Sequence, residues 1–530
     1  MIRHFIISIL LLFLFLFNSN SIACFKRTAH LNNYAKSGDD ITIVLQKLVD
    51  KYDNIVIDEG VWYLSAGIRL RNNVIIRGVD PRKSIIKRSA NMPLWGGMLF
   101  YTEQANPDIY TKRDERNEFS RLNLHYHNIH FSSITIDFNR NPDDYSDKLL
   151  KSKNLYGIAF IKASNCSVNN CLFIDQMTRA KNNGYPAIVV LQSESIRISR
   201  NSSERISFLQ IIYSNNVFVS DNNCNNSVGT AIETIGGYEH KIYRNIVKSV
   251  YWNVSCVGIN SLKCNFMDNE VYMSDNNISC LTLGHEGTQT AASQSIVHNN
   301  RFYSEGTRCI LIQNGANISV NNNTCSCRIE PSSSVLTSGC IVASGDSDGI
   351  YGLDIKGNNL ISLGDGCCGC ITYRGTGTLT IEKNHIKSNR GITILSNNNT
   401  SIIIKENNIQ SINYSIEANC HRIVIDNNTM TDGIITNVSE IVIKNNSITH
   451  LSNHSYLGKK WTKVVIDNNS LKNSTSFTMP YAFILDASEK GVDFDEKMIA
   501  VFNNTVVEGS ITKIVNIAGT YNCPQLKNVE

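Results

Sequence analysis

The sequence predicts an all-β fold, a β-solenoid, from a repeat that is clearest over residues 390–450. Three successive segments of roughly 20 residues carry the same unit. The unit is an apolar strand, an alternating strand, an Asn pair and one more apolar residue. Strands with a period of two, and no room for helices between them, indicate stacked β-strands. Each turn of the solenoid, or rung, then packs only on its neighbours.

The Asn pairs mark a corner that every rung repeats. In the clearest segment they are Asn407–Asn408, Asn427–Asn428 and Asn445–Asn446. Asn tolerates the left-handed backbone that a tight corner needs. Stacked Asn amides also bond to each other along the axis of a strand stack. The pairs therefore predict an Asn ladder at one corner of the solenoid.

The chain begins with a segment typical of a secretory signal peptide, over residues 1–23. Its apolar run, Phe5–Phe17, is too short to span a bilayer comfortably. We therefore expect a secreted, periplasmic or outer-membrane-associated protein. The end of the segment loosely resembles a bacterial lipobox, so a membrane contact is expected only if Cys24 is lipidated. Residues 24–38 are predicted to be a linker.

Length and charge limit the remaining organisation. A chain of 530 residues could hold several domains, but a solenoid grows rung by rung. We predict a single domain over residues 39–520 and a tail over residues 521–530. The net charge of +4 is small and evenly spread, which argues against a nucleic-acid partner. A monomer is expected.

Residues 39–90 are predicted to cap the first rungs. Asp39 or Asp40 can N-cap a short amphipathic helix with Ile41, Leu45 and Leu48 on its buried side. The predicted strands after it are Asn54–Ile57, Trp62–Leu64, Ile68–Leu70 and Val74–Arg77. A solenoid needs such a cap to close its first rung.

This segment resembles the N-terminal cap and first rungs of the pectin lyase-like superfamily, in particular its pectate-lyase-3 or rhamnogalacturonase-like branch. The matching residues are Asp40, Thr42, Leu45, Gln46, Gly60, Tyr63, Ile68, Leu70 and Gly78. The resemblance continues as a rung pattern to about Val507. It implies a right-handed parallel β-helix with three sheets per rung. It also implies a lyase, hydrolase or epimerase of acidic or complex polysaccharides, or a protein that only binds them.

Two stretches break the repeat and are predicted to be inserted loops, about residues 92–123 and 139–147. The second follows a predicted strand, Ser133–Phe138, and is rich in charge. Asp137 and Arg140 are candidates for substrate binding, because inserted loops often carry function. The alternative is a solvated loop whose Asp and Asn residues only form turns.

Five of the 16 Cys directly precede an apolar strand in successive rungs. They are Cys256, Cys280, Cys309, Cys340 and Cys370. Their common register predicts one column with neighbours about 4.8 Å apart. We expect free, buried thiols, because in-register Cβ atoms usually lie too far apart for a disulfide. Cys325-Ser-Cys327 and the Cys pair before Cys370 resemble metal ligands, but no His at a zinc spacing accompanies them, so no metal site is predicted.

The strands that open each rung predict an outer ridge on the middle rungs. Alternate residues point inward and outward, and the outward ones are polar or ionisable there. A sugar chain could lie in a groove along this ridge. The residues predicted to bind it are Lys162, Gln210, Tyr213, Asn260 and Gln313.

The same ridge carries the candidate catalytic residues, which are Glu233, His285, Glu286, Asp346 and Arg374. Hydrolysis needs two carboxylates, which the Glu and Asp residues could supply. Lyase or epimerase chemistry needs a cation for the uronate carboxylate and a base for the proton. Arg374, Lys162 or His285 with Tyr213 fits that second need, with Ca²⁺ on the Glu and Asp carboxylates as an option. The alternative is that His285, Glu286 and Glu233 are solvated turn residues.

The sequence thus predicts an exported polysaccharide lyase or glycoside hydrolase with a polysaccharide partner. The alternative is a non-catalytic glycan-binding or surface-adhesion solenoid. An enzyme should bring at least two of the catalytic candidates within about 10 Å. A binding protein should show an aromatic platform, for which the ridge offers only Tyr213 and Tyr373.

Overall fold

The structure of the 530-residue chain is a computed structural model. The structure describes residues 27–92, 97–104, 122–139, 155–175, 186–251, 255–274, 279–284, 292–306, 308–328, 338–344, 349–363, 369–396, 400–451, 455–458, 461–473, 481–486, 498–508 and 511–518. The predicted signal peptide and the predicted tail lie outside these residues. No helix within them is long and apolar enough to cross a membrane.

Three long sheets, A, B and C, run along the molecule, and each rung adds one parallel strand to each sheet in turn. Within the described residues, the 18 strands of sheet A are Thr28–His30, Asn54–Ile57, Val74–Gly78, Ile129–Ser132, Ser167–Asn169, Arg197–Ser199, Phe218–Ser220, Lys241–Tyr243, Asn265–Met267, Ile296–His298, Gly315–Asn321, Ile350–Lys356, Thr376–Glu382, Ser401–Lys405, Arg422–Asp426, Glu440–Lys444, Lys463–Asp467 and Ile499–Phe502.

The strands of sheet B are Gly60–Leu64, Ser84–Arg88, Thr135–Asp137, Leu172–Ile174, Ser202–Glu204, Asn223–Val228, Ile246–Tyr251, Glu270–Met273, Arg301–Ser304, Thr324–Arg328, Asn359–Leu363, His385–Ser388, Asn408–Ser411, Thr429–Met430, Ser447–Leu451, Ser470–Asn473 and Thr505–Glu508. The strands of sheet C are Ile68–Arg69, Gly97–Tyr101, Leu155–Ile161, Ile188–Leu191, Leu209–Ile212, Ile232–Tyr238, Ser255–Leu262, Ser279–Leu283, Arg308–Ile312, Gly339–Ser344, Gly369–Arg374, Arg390–Leu395, Ile416–Asn419, Ile434–Thr436, Ser455–Tyr456, Tyr481–Asp486 and Lys513–Ala518.

The predicted all-β, right-handed parallel β-helix is confirmed. Its interior is one continuous apolar core made by the inward residues of all three sheets. In sheet C, for example, Ile232, Val257, Leu281 and Ile310 are register partners in successive strands, and each is fully buried. Apolar residues at a period of two therefore build the core rung by rung.

The cap helix, α1, spans Thr42–Lys51 and buries Leu45, Leu48 and Val49. The predicted buried side is confirmed, since Ile41 and Leu45 are fully buried. Asp40 accepts hydrogen bonds from the backbone N–H of Thr42 at 3.0 Å and from its hydroxyl at 2.6 Å. Its carboxylate thus holds the first turn of α1, although the helix cap residue itself is Ile41. A short 3₁₀ helix, Leu31–Asn33, and a small sheet of Tyr126–His127 and Ala163–Ser164 complete the elements.

Two of the described strands lie where the sequence predicted a linker and a loop. Thr28–His30 lies in the predicted linker but pairs with the strand Asn54–Ile57, because Ala29 and Leu31 enter the core. Gly97–Tyr101 lies in the predicted loop over residues 92–123, yet it pairs with Leu155–Ile161 in sheet C. Its apolar run places a fully buried Phe100 in the core, so part of this stretch belongs to a rung.

The Asn pairs form the predicted corner, between sheets A and B. In pairs such as Asn299–Asn300 and Asn445–Asn446 the first member takes the left-handed conformation, with φ of 55° and 57°. In Asn407–Asn408 the left-handed residue is Glu406, at φ 57°, and the first Asn is the ladder residue. The ladder is unbroken and almost entirely buried, and each Nδ2 donates to the next Oδ1 at 2.8–3.0 Å. The ladder consists of Asn201, Asn222, Asn245, Asn269, Asn300, Asn323, Asn358, Asn384, Asn407, Asn428, Asn446, Asn469 and Asn504.

The predicted Cys column is present at the corner between sheets B and C, and its members are free and buried. Its thiols donate to backbone carbonyls of sheet B one rung further on. Cys280 donates to Tyr303 at 3.4 Å, and Cys309 donates to Ser326 at 3.3 Å. Burial raises the pKa of Cys256 well above its usual value, as it does for other thiols of the column.

Candidate functional site

The predicted ridge lies on the outer face of sheet C. Gln210 and Glu233 occupy the same register position in neighbouring strands. Nε2 of Gln210 donates a hydrogen bond to Oε2 of Glu233 at 2.9 Å, so the structure brings these two predicted residues together. In the next strand the register partner of Glu233 is Gly258, so no side chain extends from the sheet at that position.

The catalytic candidates that the structure describes do not share a site. Glu233 and Arg374 lie in strands of sheet C that are separated by five steps of strand pairing. Strand spacing of about 4.8 Å puts them about 24 Å apart along the axis. The other candidates, His285, Glu286 and Asp346, and the predicted substrate-binding residue Arg140 lie outside the described residues.

Beyond Glu233, the described residues on the outer face of sheet C are mostly buried. Thr282, Val342 and Thr393 continue the outward column, and their exposed fractions are 2%, 0% and 0%. A second apolar cluster, which includes Met98, Val189 and Leu191, lies on the same face nearer the N-terminus. The described residues of this face therefore show no open groove for a sugar chain along the middle rungs.

Two predicted binding residues of the ridge make local contacts with neighbouring rungs. Nζ of Lys162 donates to Oε1 of Glu103 at 2.9 Å in a half-buried ion pair. The ring of Tyr213 packs against Gly236, where an added Cβ would lie 2.6 Å from Cδ1 of the ring. That close approach, with φ of 65° at Gly236, explains why a glycine occupies this position.

Asn260 and Gln313 also lie at the ends of sheet C strands. The backbone N–H of Asn260 donates to Oγ1 of Thr234 at 3.0 Å. Oε1 of Gln313 is buried and has no hydrogen-bond partner among the described residues. Both side chains are half-buried, so neither is freely presented to a ligand.

Asp137 and Tyr373 have structural positions that the sequence did not indicate. Asp137 is 5% exposed, ends a sheet B strand and forms an ion pair with Lys87 at 3.1 Å. It also accepts a hydrogen bond from the backbone N–H of Asn139 at 2.8 Å. Tyr373 points inward and is fully buried, and burial raises its pKa to about 12. The predicted ridge therefore loses one of its two possible aromatic contacts.

A groove of about 660 Å³ lies instead on the outer face of sheet B. It is open to solvent and is lined by residues of the strands Asn223–Val228, Ile246–Tyr251, Glu270–Met273, Arg301–Ser304 and Thr324–Arg328. Its lining residues include Lys248, Tyr272, Tyr303, Glu305, Cys327 and Arg328. We call this feature the sheet B groove. Its volume lies within the range of ordinary ligand sites.

Two tyrosines form the centre of the sheet B groove. The rings of Tyr272 and Tyr303 are stacked, with centroids 4.9 Å apart and planes 8° from parallel. They are register partners in neighbouring strands, so the pleat itself places them side by side. Nζ of Lys248 lies 5.7 Å from the Tyr272 centroid, within cation–π reach.

Charged groups surround the tyrosine pair. The hydroxyl of Tyr272 donates to Oε2 of Glu270 at 3.0 Å, and Arg301 contacts the other oxygen of that carboxylate at 3.3 Å. Burial and then the hydrogen bond to Glu270 raise the pKa of Tyr272, so its phenol stays neutral at physiological pH. Glu305 and Arg328 are exposed at the edge of the groove.

Sequence reasoning missed the sheet B groove because it followed the strands that open each rung. A signal was nevertheless present. Each tyrosine is the third residue after a ladder Asn, in the segments Asn269–Met273 and Asn300–Ser304. Because both tyrosines are equally far from the same corner, their side chains lie next to each other on the outer face of sheet B.

No family model and no curated protein matches this chain. Among solved structures, it is similar to the A-module of the mannuronan C-5 epimerase AlgE4 from Azotobacter vinelandii, with 12% identity and a TM-score of 0.43 over 72% of this chain and 95% of that chain. The Dettilon tailspike protein has 12% identity and a TM-score of 0.46 over 68% of this chain and 66% of that chain. PfbA, a surface adhesin of Streptococcus pneumoniae, has 12% identity and a TM-score of 0.37 over 83% of this chain and 92% of that chain.

At this level of identity the comparisons concern the fold. The register of the strands establishes that fold directly, since three parallel sheets each receive one strand per rung. The chain is thus a three-sheet parallel β-helix, the architecture that the resemblance to the pectin lyase-like superfamily implied.

Proposed function

We propose that the protein binds a polysaccharide in the sheet B groove. The observation that carries the proposal is the stacked pair Tyr272–Tyr303 in a solvent-open groove. Tyrosine combines an apolar ring with a polar tip, so it can contact both the C–H surface and the hydroxyls of a sugar. The rest of the lining supplies hydrogen-bonding groups, including Asn226, Ser249 and Ser274. An extended groove across five strands suits a chain of several sugar units.

Glycan binding fits the groove better than cleavage does. Retaining or inverting hydrolysis needs two carboxyl groups facing one bond. Glu270 does not line the groove, and its carboxylate is already held by Tyr272 and Arg301. Glu305 remains as a single exposed carboxylate. The groove thus offers side chains that can bind a sugar, but its described lining has one carboxylate rather than the pair that hydrolysis needs.

The proposal is tested by measuring affinities of the purified protein for a panel of acidic and neutral polysaccharides. Tyr303→Ala and Tyr272→Ala should each weaken binding of the retained glycan about tenfold, because an aromatic anchor contributes about 1–2 kcal/mol. Tyr351→Ala is the matched control, since Tyr351 is 59% exposed on sheet A. Equal affinity of wild type and both groove variants would refute the assignment of this groove.

Polysaccharide cleavage is a second candidate, and Glu233 is the residue that favours it. Its carboxylate is half-buried on sheet C and is held by Gln210 at 2.9 Å. Ultraviolet absorbance from unsaturated products and new reducing ends would be followed together on the same panel. A lyase gives both signals and a hydrolase gives only the second, and Glu233→Gln should abolish either. Glu417→Gln, in the same outward column of sheet C, is the control. No product from any polysaccharide would exclude cleavage of those substrates.

A further inference from the structure

Three thiols meet at the corner between sheets B and C. The Sγ atoms of Cys309, Cys327 and Cys340 all lie within 4.8 Å of one another. Those of Cys327 and Cys340 are 3.5 Å apart. Cys309 and Cys340 belong to the Cys column at the start of successive sheet C strands, whereas Cys327 lies near the end of a sheet B strand. Among the described residues, this is the one group of His, Cys, Asp or Glu side chains that converges closely enough to hold a metal ion.

The separations suit ligands of a single ion. A thiolate sulfur binds Zn²⁺ at about 2.3 Å, so two sulfurs of a tetrahedral site lie about 3.8 Å apart. The observed separations of 3.5 Å to at most 4.8 Å bracket that value. Small rotations of the side chains would bring all three sulfurs onto one ion.

Cys327 differs from the regular thiols of the column. Cys280, for instance, donates to a backbone carbonyl, whereas the sulfur of Cys327 contacts the sulfur of Cys340. The sulfur of Cys327 therefore already lies beside the sulfur of a second candidate ligand. A thiolate is the form of cysteine that binds metals.

Access is available from the sheet B groove. Cys327 lines that groove, although only 1% of the residue is exposed. An ion could reach the cluster through the groove, and a water from the same side could occupy a fourth position. Three protein ligands with one open position is a known arrangement for Zn²⁺.

We propose that Cys309, Cys327 and Cys340 form a binding site for a divalent thiophilic cation of the Zn²⁺ class. Three thiolates carry three negative charges, and the site is buried. A divalent ion leaves one net negative charge there, whereas Cu⁺ leaves two. Since residual charge in the interior is costly, the divalent ion is favoured. Binding releases the thiol protons and joins sheet B to sheet C across the corner.

The test uses the reduced full-length protein and Cd²⁺, whose thiolate complexes absorb in the ultraviolet. One Cd²⁺ per chain should bind with this absorbance and with release of protons. Alkylation during slow unfolding in urea, followed by peptide mass analysis, should show that Cd²⁺ delays the modification of Cys309, Cys327 and Cys340, which are buried in the folded protein. This readout needs no variant, so it does not depend on the folding of a substituted core.

Variants then assign the site. Cys327→Ser should lose the absorbance and at least tenfold in Cd²⁺ affinity. Cys256→Ser should keep both, since Cys256 is a buried member of the column outside the cluster. Circular dichroism checks that both variants fold. Unchanged Cd²⁺ binding in Cys327→Ser, or no protection of the three thiols, would overturn the proposal. Recovery of a Cys327–Cys340 disulfide from protein never exposed to reductant would also overturn it, because two ligands would then be absent.

Discussion

Nδ2 of Asn300 donates a hydrogen bond to Oδ1 of Asn323, one rung further along the axis, at 2.9 Å. The same nitrogen donates to the backbone carbonyl of Phe266 at 2.9 Å, and the backbone N–H of Asn300 also donates to Asn323. Oδ1 of Asn300 accepts two bonds from Asn269 in turn. One side chain thus satisfies buried polar groups of three rungs. Because buried donors without partners are costly, this ladder fixes the corner in every rung it reaches.

Removal of one ladder amide should therefore destabilise the solenoid strongly. Asn300→Ala leaves the two donors of Asn269 without their acceptor, and each buried unsatisfied group costs about 1–3 kcal/mol. We expect a loss of about 2–5 kcal/mol in the free energy of unfolding, measured by urea denaturation. Asn299→Gly is the control, since Asn299 is an exposed corner residue at φ 55°, which Gly adopts freely. Equal urea midpoints for the two variants would contradict the role of the ladder.

The fold was predictable because the same pattern of apolar strand residues and corner Asn residues repeats along the sequence. Apolar residues at a period of two give strands, and one Asn at each corner from Asn201 onward gives the ladder. At several corners a second Asn before it is the left-handed residue. The strand Gly97–Tyr101 lies in a predicted loop, because the polar residues around its one apolar run hide the period of two.

Asp137 is expected to support stability rather than substrate binding. Its carboxylate is 7% exposed, and Nζ of Lys87 lies 3.1 Å away with 21% exposure of that side chain. Asp137→Asn leaves the Lys87 ammonium without its counter-charge in a mostly buried place, so we expect a loss of about 2 kcal/mol. Glycan affinity should not change.

The control for this pair is Asp221→Asn, which breaks the ion pair with Arg244 at 2.7 Å in a more exposed setting. That change should cost less than about 1 kcal/mol, as exposed ion pairs usually do. Urea denaturation of the two variants gives the comparison. A weakened glycan affinity in Asp137→Asn, with unchanged stability, would restore Asp137 as a substrate-binding residue.

The candidate site was harder to predict than the fold, because a site depends on which outer face stays open. The sequence identifies the outward column of sheet C, but burial of Thr282 and Val342 depends on packing beyond the strand pattern. The three-thiol cluster joins residues 18 and 13 positions apart in the sequence (309, 327 and 340), which matches no metal-ligand motif. Only the register of two sheets at one corner brings those sulfurs together.

His240 should make stability depend on pH. The ring is fully buried, and burial lowers its pKa to about 4. Nδ1 accepts a hydrogen bond from the backbone N–H of Val217 at 3.4 Å, which also requires the neutral ring. Above about pH 6.5 the ring is neutral in both states and has no effect. Below about pH 6.5, His240 binds a proton in the unfolded chain but stays neutral in the folded chain, so the free energy of unfolding falls until about pH 4.

The measurement is the free energy of unfolding of wild type and His240→Asn at about pH 7.5 and about pH 5. Asn keeps an acceptor near the position of Nδ1 and does not titrate. The wild type should lose about 2 kcal/mol more than the variant between the two pH values. The other titratable groups contribute equally to both proteins, so the difference between the two pH profiles isolates His240. Parallel pH profiles would show that the ring is protonated in the folded state.

The charges at the edge of the sheet B groove predict which glycans it prefers, given that the groove is the binding site. Lys248 and Arg328 line it, against one unengaged carboxylate, Glu305. Lys248→Gln and Arg328→Gln should each lower affinity for an acidic polysaccharide about threefold to fivefold, the effect of an exposed charge pair of up to about 1 kcal/mol. Glu305→Gln should raise it, because the change removes a repulsion. Affinity for neutral glycans should change little in all three variants.

The two losses should shrink as salt is added, since exposed charges are screened within about 10 Å at 0.1 M salt. Opposite signs for the two kinds of substitution would separate charge recognition from a general distortion of the groove, which would lower all affinities together.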